Sequence, residues 1–184
     1  LHKQTDFFKN LDKPSSWKPQ HLNAKSLASA HKNDFESFNL LLEIAVDINC
    51  ISSSGTNSFH YVAQYGQLHA VNAFLERGIL VADETMYGKA LHLVLKPRKV
   101  QGGKDIFNDE DTILLIIERL LDANININAK DKNGQTALHL AVKNGVLNVV
   151  RYLMIMDAKL SEPDNQGNTP LHLAAMNGNT QIYE

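Results

Sequence analysis

The chain has 184 residues, 43% of them apolar, and its 18 Lys and Arg stand against 20 Asp and Glu for a formal net charge of −2. That length and apolar share suffice for one folded domain and carry no signature of disorder. The near-even charge disfavours a nucleic-acid backbone as partner, and the longest apolar run, Ile113 to Ile117, is far short of the roughly 20 residues that cross a bilayer. With no charged-then-apolar signal pattern at the N-terminus, no membrane insertion is expected.

The segment DKNGQTALHLAV at 131–142 recurs 33 residues later as DNQGNTPLHLAA at 164–175. This frame divides the chain. Residues 1–22, with Phe7, Phe8 and Trp17 among Lys and Pro, form either an extension packed over the first unit or a solvated leader. A weak first copy at 23–52 aligns Leu41–Asn49 with Leu120–Asn128. Its polar Ser26, Ser29, His31 and Lys32 suit a terminal unit that turns one face to water. Cys50, the sole cysteine, cannot form an internal disulfide and reads as an inert thiol of a reducing compartment.

The second copy, 53–84, puts His60 in the histidine slot, and the third, 85–130, puts His92 there. His60 to His92 is 32 residues but His92 to His139 is 47, so the third copy carries an inserted loop near 96–109. Loops of that length inside compact units are uncommon and often functional. Its basic first half and Ile106–Phe107 suit a partner contact, and a disordered, tolerated insertion is an equal alternative. Glu110 and Asp111 then read as the solvated entry to a helix, favoured by its dipole. The fourth copy is 131–163. The fifth, 164–184, is incomplete, stopping where its second helix would start. Leu171, Leu173 and Ala174 would then lack a covering helix, which leads us to expect further chain beyond residue 184.

Each copy encodes two helices. Thr136 and Thr169 can cap the first, with Pro170 pre-set for the first helical position. Leu138, Leu140 and Ala141 fall on its inner side, and Gly66, Gly145 and Gly178 permit a left-handed turn into the second helix. Val149, Val150, Leu153 and Met154 give that helix an apolar stripe. It should end on a left-handed residue, Gly78, Asn124 or Asp157, with Ala45 a departure in the first copy.

A period of 33 with T-P-L-H at its centre resembles the ankyrin repeat, over roughly residues 23–184. The resemblance implies an all-α solenoid of about five helix-turn-helix repeats joined by short β-hairpin turns. It also implies a concave face that binds another protein, with no cofactor, no metal and no reaction of its own. By repeat position the contact residues are Tyr65, Met86, Tyr87, Lys132, Asn133, Lys143, Asn144, Asn165, Gln166 and Met176. Asn57 and Lys89 replace the usual Thr and Tyr87 the usual Gly, so the second and third hairpins are expected to be distorted. Asn-rich ankyrin arrays with an inserted loop are also similar to effectors that intracellular bacteria deliver into host cytoplasm. There Asn49 and Asn128 would resemble asparagines that host hydroxylases modify. The alternative is a targeting or bracing arm of an enzyme whose catalytic domain lies outside the chain.

Chemistry within the chain is disfavoured. His60, His92, His139 and His172 occupy one slot of different repeats, and helices stacked about 8–10 Å apart cannot bring them to a common zinc. They are expected to bond backbone groups of the turns instead. Gly102–Asp105 fails the phosphate-loop pattern at its first Gly and last hydroxyl, and no nucleophile elbow, kinase signature or H-E-x-x-H occurs. The oligomeric state is open, a monomer being the simplest reading.

Overall fold

The computed structural model describes residues 57–78, 90–99, 105–106 and 108–178. The leader at 1–22, the weak copy at 23–52 and the turn with Met86 and Tyr87 lie outside the described residues. In chain order the elements are α1 (Ser58–Gln64) and α2 (Leu68–Glu76), α3 (helical residues 90–94), β1 (Arg98–Lys99) and β2 (Asp105–Ile106), then α4 (Glu110–Asp122), α5 (Ala137–Asn144), α6 (Leu147–Ile155) and α7 (Pro170–Met176).

First helices begin on a reciprocal cap. Thr136 Oγ1 accepts from His139 N, and Thr136 N donates to His139 Nδ1 at 3.1 Å; Thr169 and His172 repeat the arrangement. Asn57, expected to loosen its copy, makes the same cap with His60, both bonds being 3.1 Å. A carboxamide oxygen reaches the helix N–H as a hydroxyl does. Gly66 (φ 71°) and Gly145 (φ 70°) close the turn between first and second helix, and Asn124 and Asp157 (both φ 60°) end the second helices in the left-handed region. Both features follow the sequence reading.

Packing is between neighbours along the chain. α1 pairs with α2 and α5 with α6; α2, α4 and α6 form an outer row, and α5 packs on α7 in an inner one. One core cluster runs from Phe59 and Phe74 through Leu91, Ile117, Leu120 and Leu138 to Ala174. Phe59 and Phe74 meet edge to face with centroids 5.6 Å apart, a geometry that adds about 0.5–1.5 kcal/mol beyond burial. Val149, Val150 and Leu153 are buried as expected, whereas Met154 is 40% exposed. One position further round the helix than Leu153, it lines a cleft with Leu138, Leu160 and Leu171 beside α7. Leu171 is likewise 45% exposed.

The insertion differs from a structureless loop. Arg98 pairs with Ile106 and Lys99 with Asp105 in an antiparallel ladder. Asp109 caps α4 by accepting from Thr112 N at 2.8 Å. Because Asn124 and Asp157 end their helices in equivalent positions, α4, with 13 residues against the 9 of α6, is longer at its start. Part of the inserted length is an added first turn. The turns at 131–135 and 164–168, expected as β-hairpins, contain turn residues and no strand.

Candidate binding surface

The turns before α5 and α7 are fixed by a carboxylate. Asp131 Oδ1 accepts from the N–H of Asn133 (2.9 Å) and Gln135 (3.0 Å), and Asp164 Oδ1 from those of Gln166 (2.9 Å) and Asn168 (2.8 Å). Desolvation alone would raise the pKa of both carboxyls. For Asp131 the N–H groups of Gln135 and Asn133, with the charges of Lys96 and His92, outweigh it and hold the group below the usual carboxylate value. For Asp164 the N–H groups of Asn168 and Gln166 and the side chains of Asn168 and Gln135 have the same net effect. Successive turns also interlock. Asn165 N donates to Asn133 O and Asn165 Nδ2 to Lys132 O, each at 3.0 Å. A Cβ on Gly134 (φ 73°) would meet Asn165 Oδ1 and sit 2.8 Å from the backbone Asn165 N, so only glycine admits this approach.

Two of the histidines tie their inner helix to the next turn. His139 Nδ1 accepts from its cap while Nε2 donates to Asn168 O at 3.1 Å, and His92 Nε2 donates to Gln135 O at 2.7 Å. Accepting at one nitrogen and donating at the other assigns His139 the neutral Nε2–H tautomer. The role expected of this slot, bonding backbone groups of the turns, is the observed one.

With the helix interiors and histidines thus committed, side chains four residues after each histidine remain at the surface of the inner row: Gln64, Lys96, Lys143 and Met176. Gln64 and Lys96 are partly exposed, Lys143 is exposed and Met176 is 74% exposed. Lys96 Nζ lies 3.4 Å from Asp131 Oδ2, which places this stripe beside the turns. Lys132, Asn133, Asn165 and Gln166 are exposed on those turns and Tyr65 is half-buried at the end of α1. Asn144, like Asn165, is bonded within the stack: its Nδ2 donates to Leu95 O and ties α5 to α3. Met86 and Tyr87 lie outside the described residues. Asn128 Oδ1 accepts from Lys159 N at 2.9 Å, and Asn49 is not described.

Two residues escaped the sequence reading. Lys96 was absorbed into the insertion, although its spacing from His92 matches that of Lys143 from His139. Asn108 Nδ2 donates to Gln64 O at 3.0 Å, as Asn177 Nδ2 does to Lys143 O at 3.2 Å. It fastens the end of the insertion to the preceding inner helix. Its signal was the Asn at 144 and 177, displaced in the third copy by the inserted residues.

A family model for ankyrin repeats (3 copies) matches residues 108–184. A putative ankyrin repeat protein of fowlpox virus is 32% identical over 135 residues, 63% of this chain and 96% of that protein. An L-asparaginase of Dirofilaria immitis is 27% identical over 152 residues, 68% of this chain and 25% of the enzyme. Human Rabankyrin-5 is 28% identical over 107 residues, 57% of this chain and 9% of its own length. The chain therefore spans nearly all of the viral relative and a quarter or less of the other two.

Proposed function

Because the chain belongs to the ankyrin repeat family, we propose that it is a protein–protein interaction module whose inner face, the turns and exposed side of the first helices, holds the partner. The observation that carries this is the stripe of Gln64, Lys96, Lys143 and Met176 with Lys132, Asn133, Asn165 and Gln166 beside it. These side chains reach the surface of elements whose interiors form the core of the stack, Leu171 and Ala175 of α7 being exposed as well. Tyr65, Met86 and Tyr87 extend the surface as amphipathic anchors of the kind enriched at interfaces, and Asn144 borders it while bracing α5. The array comprises five repeats, 23–52, 53–84, 85–130, 131–163 and 164–184, joined by hairpin-like turns and preceded by the leader at 1–22. Ankyrin repeats act as binding modules rather than catalysts, and no side chain of this surface is assigned a reaction.

An effector acting on a host protein in host cytoplasm is the finer reading. It is supported by the near end-to-end match to a viral ankyrin protein, which points to a host-directed role without deciding between virus and intracellular bacterium. A second reading, a targeting or bracing arm of a larger enzyme, is favoured by the match to a quarter of an L-asparaginase.

Capture from a eukaryotic cytosolic lysate tests the primary reading. The chain is compared with a variant carrying Ala at Tyr65, Met86, Lys132, Asn133 and Lys143, whose folding is verified by its unfolding transition. A partner held by the former and lost by the latter supports the inner face. Equal capture moves the site to the insertion, and no capture favours the arm.

A further inference from the structure

We propose that the inner face takes an acidic, extended segment of its protein partner, with carboxylates seated on Lys132 and Lys143 and an apolar side chain on Met176. The inference rests on the binding reading above and adds the chemistry of the ligand. Among the described residues, three lysines already have carboxylate partners: Lys96 with Asp131, and Lys130 and Lys159 with Glu162. Lys132 and Lys143 are exposed and have none. Both belong to the inner face, one on a turn and one on the stripe.

Among the described residues, the carboxylates nearest to them in register are engaged elsewhere. Lys143 has the same register relative to Asp164 as Lys96 has to Asp131, yet Asp164 is served by the N–H groups of Gln166 and Asn168 and by the side chains of Asn168 and Gln135. Asp131 and Asp164 contribute little surface, Asp164 being 9% exposed and the Asp131 side chain 6%. The exposed acids Glu76, Asp111 and Asp122 lie on α2 and α4 of the outer row. The outer row also exposes Arg119 and Arg151, so its charges are mixed, whereas the described residues of the inner face expose Lys132 and Lys143 and no acid. The inner face thus presents cations to a ligand. Such complementarity steers encounter and fixes register.

Spacing sharpens the prediction. Lys143 and Met176 hold one register on adjacent inner helices, which sit about 8–10 Å apart. An extended segment of polyproline II type rises about 3.1 Å per residue with three residues per turn, so residues three apart face the same side about 9 Å from one another. Such a segment crossing the helices sets an acidic residue and an apolar residue about three positions apart.

A random peptide library displayed on phage and selected on the full 184-residue chain provides the test. Affinities of the selected peptides are then measured for the chain, for the double variant Lys132→Glu/Lys143→Glu, and for Arg151→Glu on the outer row, each verified as folded. The expected result is enrichment of Asp or Glu with an apolar residue about three positions away. Affinity should fall at least tenfold in the double variant, weaken with added salt, and be unchanged in Arg151→Glu. Neutral or basic peptides whose binding is lost in Met176→Ala would overturn the acidic ligand while leaving the inner-face reading intact. Peptides indifferent to both inner-face variants, or no selected peptide, would overturn the two together.

Discussion

At the scale of single residues, His139 is a structural clamp. His139 is buried and satisfies Thr136 N on one side and Asn168 O on the other. His139→Ala leaves these groups without that partner, at a cost of about 1–3 kcal/mol for each one that water cannot reach. Urea denaturation should show a lower midpoint, and an unchanged midpoint would refute the clamp. Asp131 carries a pH-dependent share of stability. Its folded pKa lies below the unfolded value, so this stabilisation is complete above the unfolded pKa of about 3.9 and is lost as pH falls through the folded value. The stability difference between the wild-type chain and Asp131→Asn should accordingly be full at neutral pH and shrink at lower pH. Denaturation curves at a series of pH values check the sign.

At the scale of elements, the insertion is integrated into the stack at its far end. The N-cap of α6, Val146, makes no side-chain cap bond, and Asn148 N donates instead to Glu110 Oε1 at 2.7 Å. Glu110 belongs to the turn that α4 gains from the inserted residues. One repeat thereby caps the outer helix of the next. Glu110→Ala should destabilise the chain by about 0.5–2 kcal/mol, the range of a lost helix cap, and raise amide exchange at the start of α6. Exchange raised equally throughout the chain would contradict a local cap. This contact was not legible in the sequence, because it joins residues 38 apart whose juxtaposition depends on the added turn. The caps Thr136, Thr169 and Pro170 were legible, since a cap is written within three or four residues. So were the left-handed ends at Asn124 and Asp157. Met154 was misplaced because an apolar stripe gives the buried side of a helix but not how far its neighbours cover it.

At the scale of the whole molecule, stability should be a sum of neighbouring interfaces rather than the property of one centre, as expected for a stack in which each repeat meets its neighbours. Leu120 of α4 is fully buried in the outer row between α2 and α6. Leu120→Ala should cost about 2–5 kcal/mol and reduce exchange protection in α2, α4 and α6 more than in α7. A uniform loss in α7 as well would indicate a single cooperative unit. The inner face was legible as a register, because repeat position alone nominated Lys132, Lys143 and Met176. Its charge was not, since the neutralisation of Lys96 and the isolation of Lys132 and Lys143 emerge from side-chain pairing across repeats.

Partner binding at the inner row and its turns can be read by amide hydrogen exchange of the full chain, free and saturated with a captured partner. The account predicts new protection at the turns 131–135 and 164–168 and at the ends of α1, α5 and α7, with α2, α4 and α6 unchanged. Protection confined to α2, α4 and α6 would place the partner on the opposite face and contradict it.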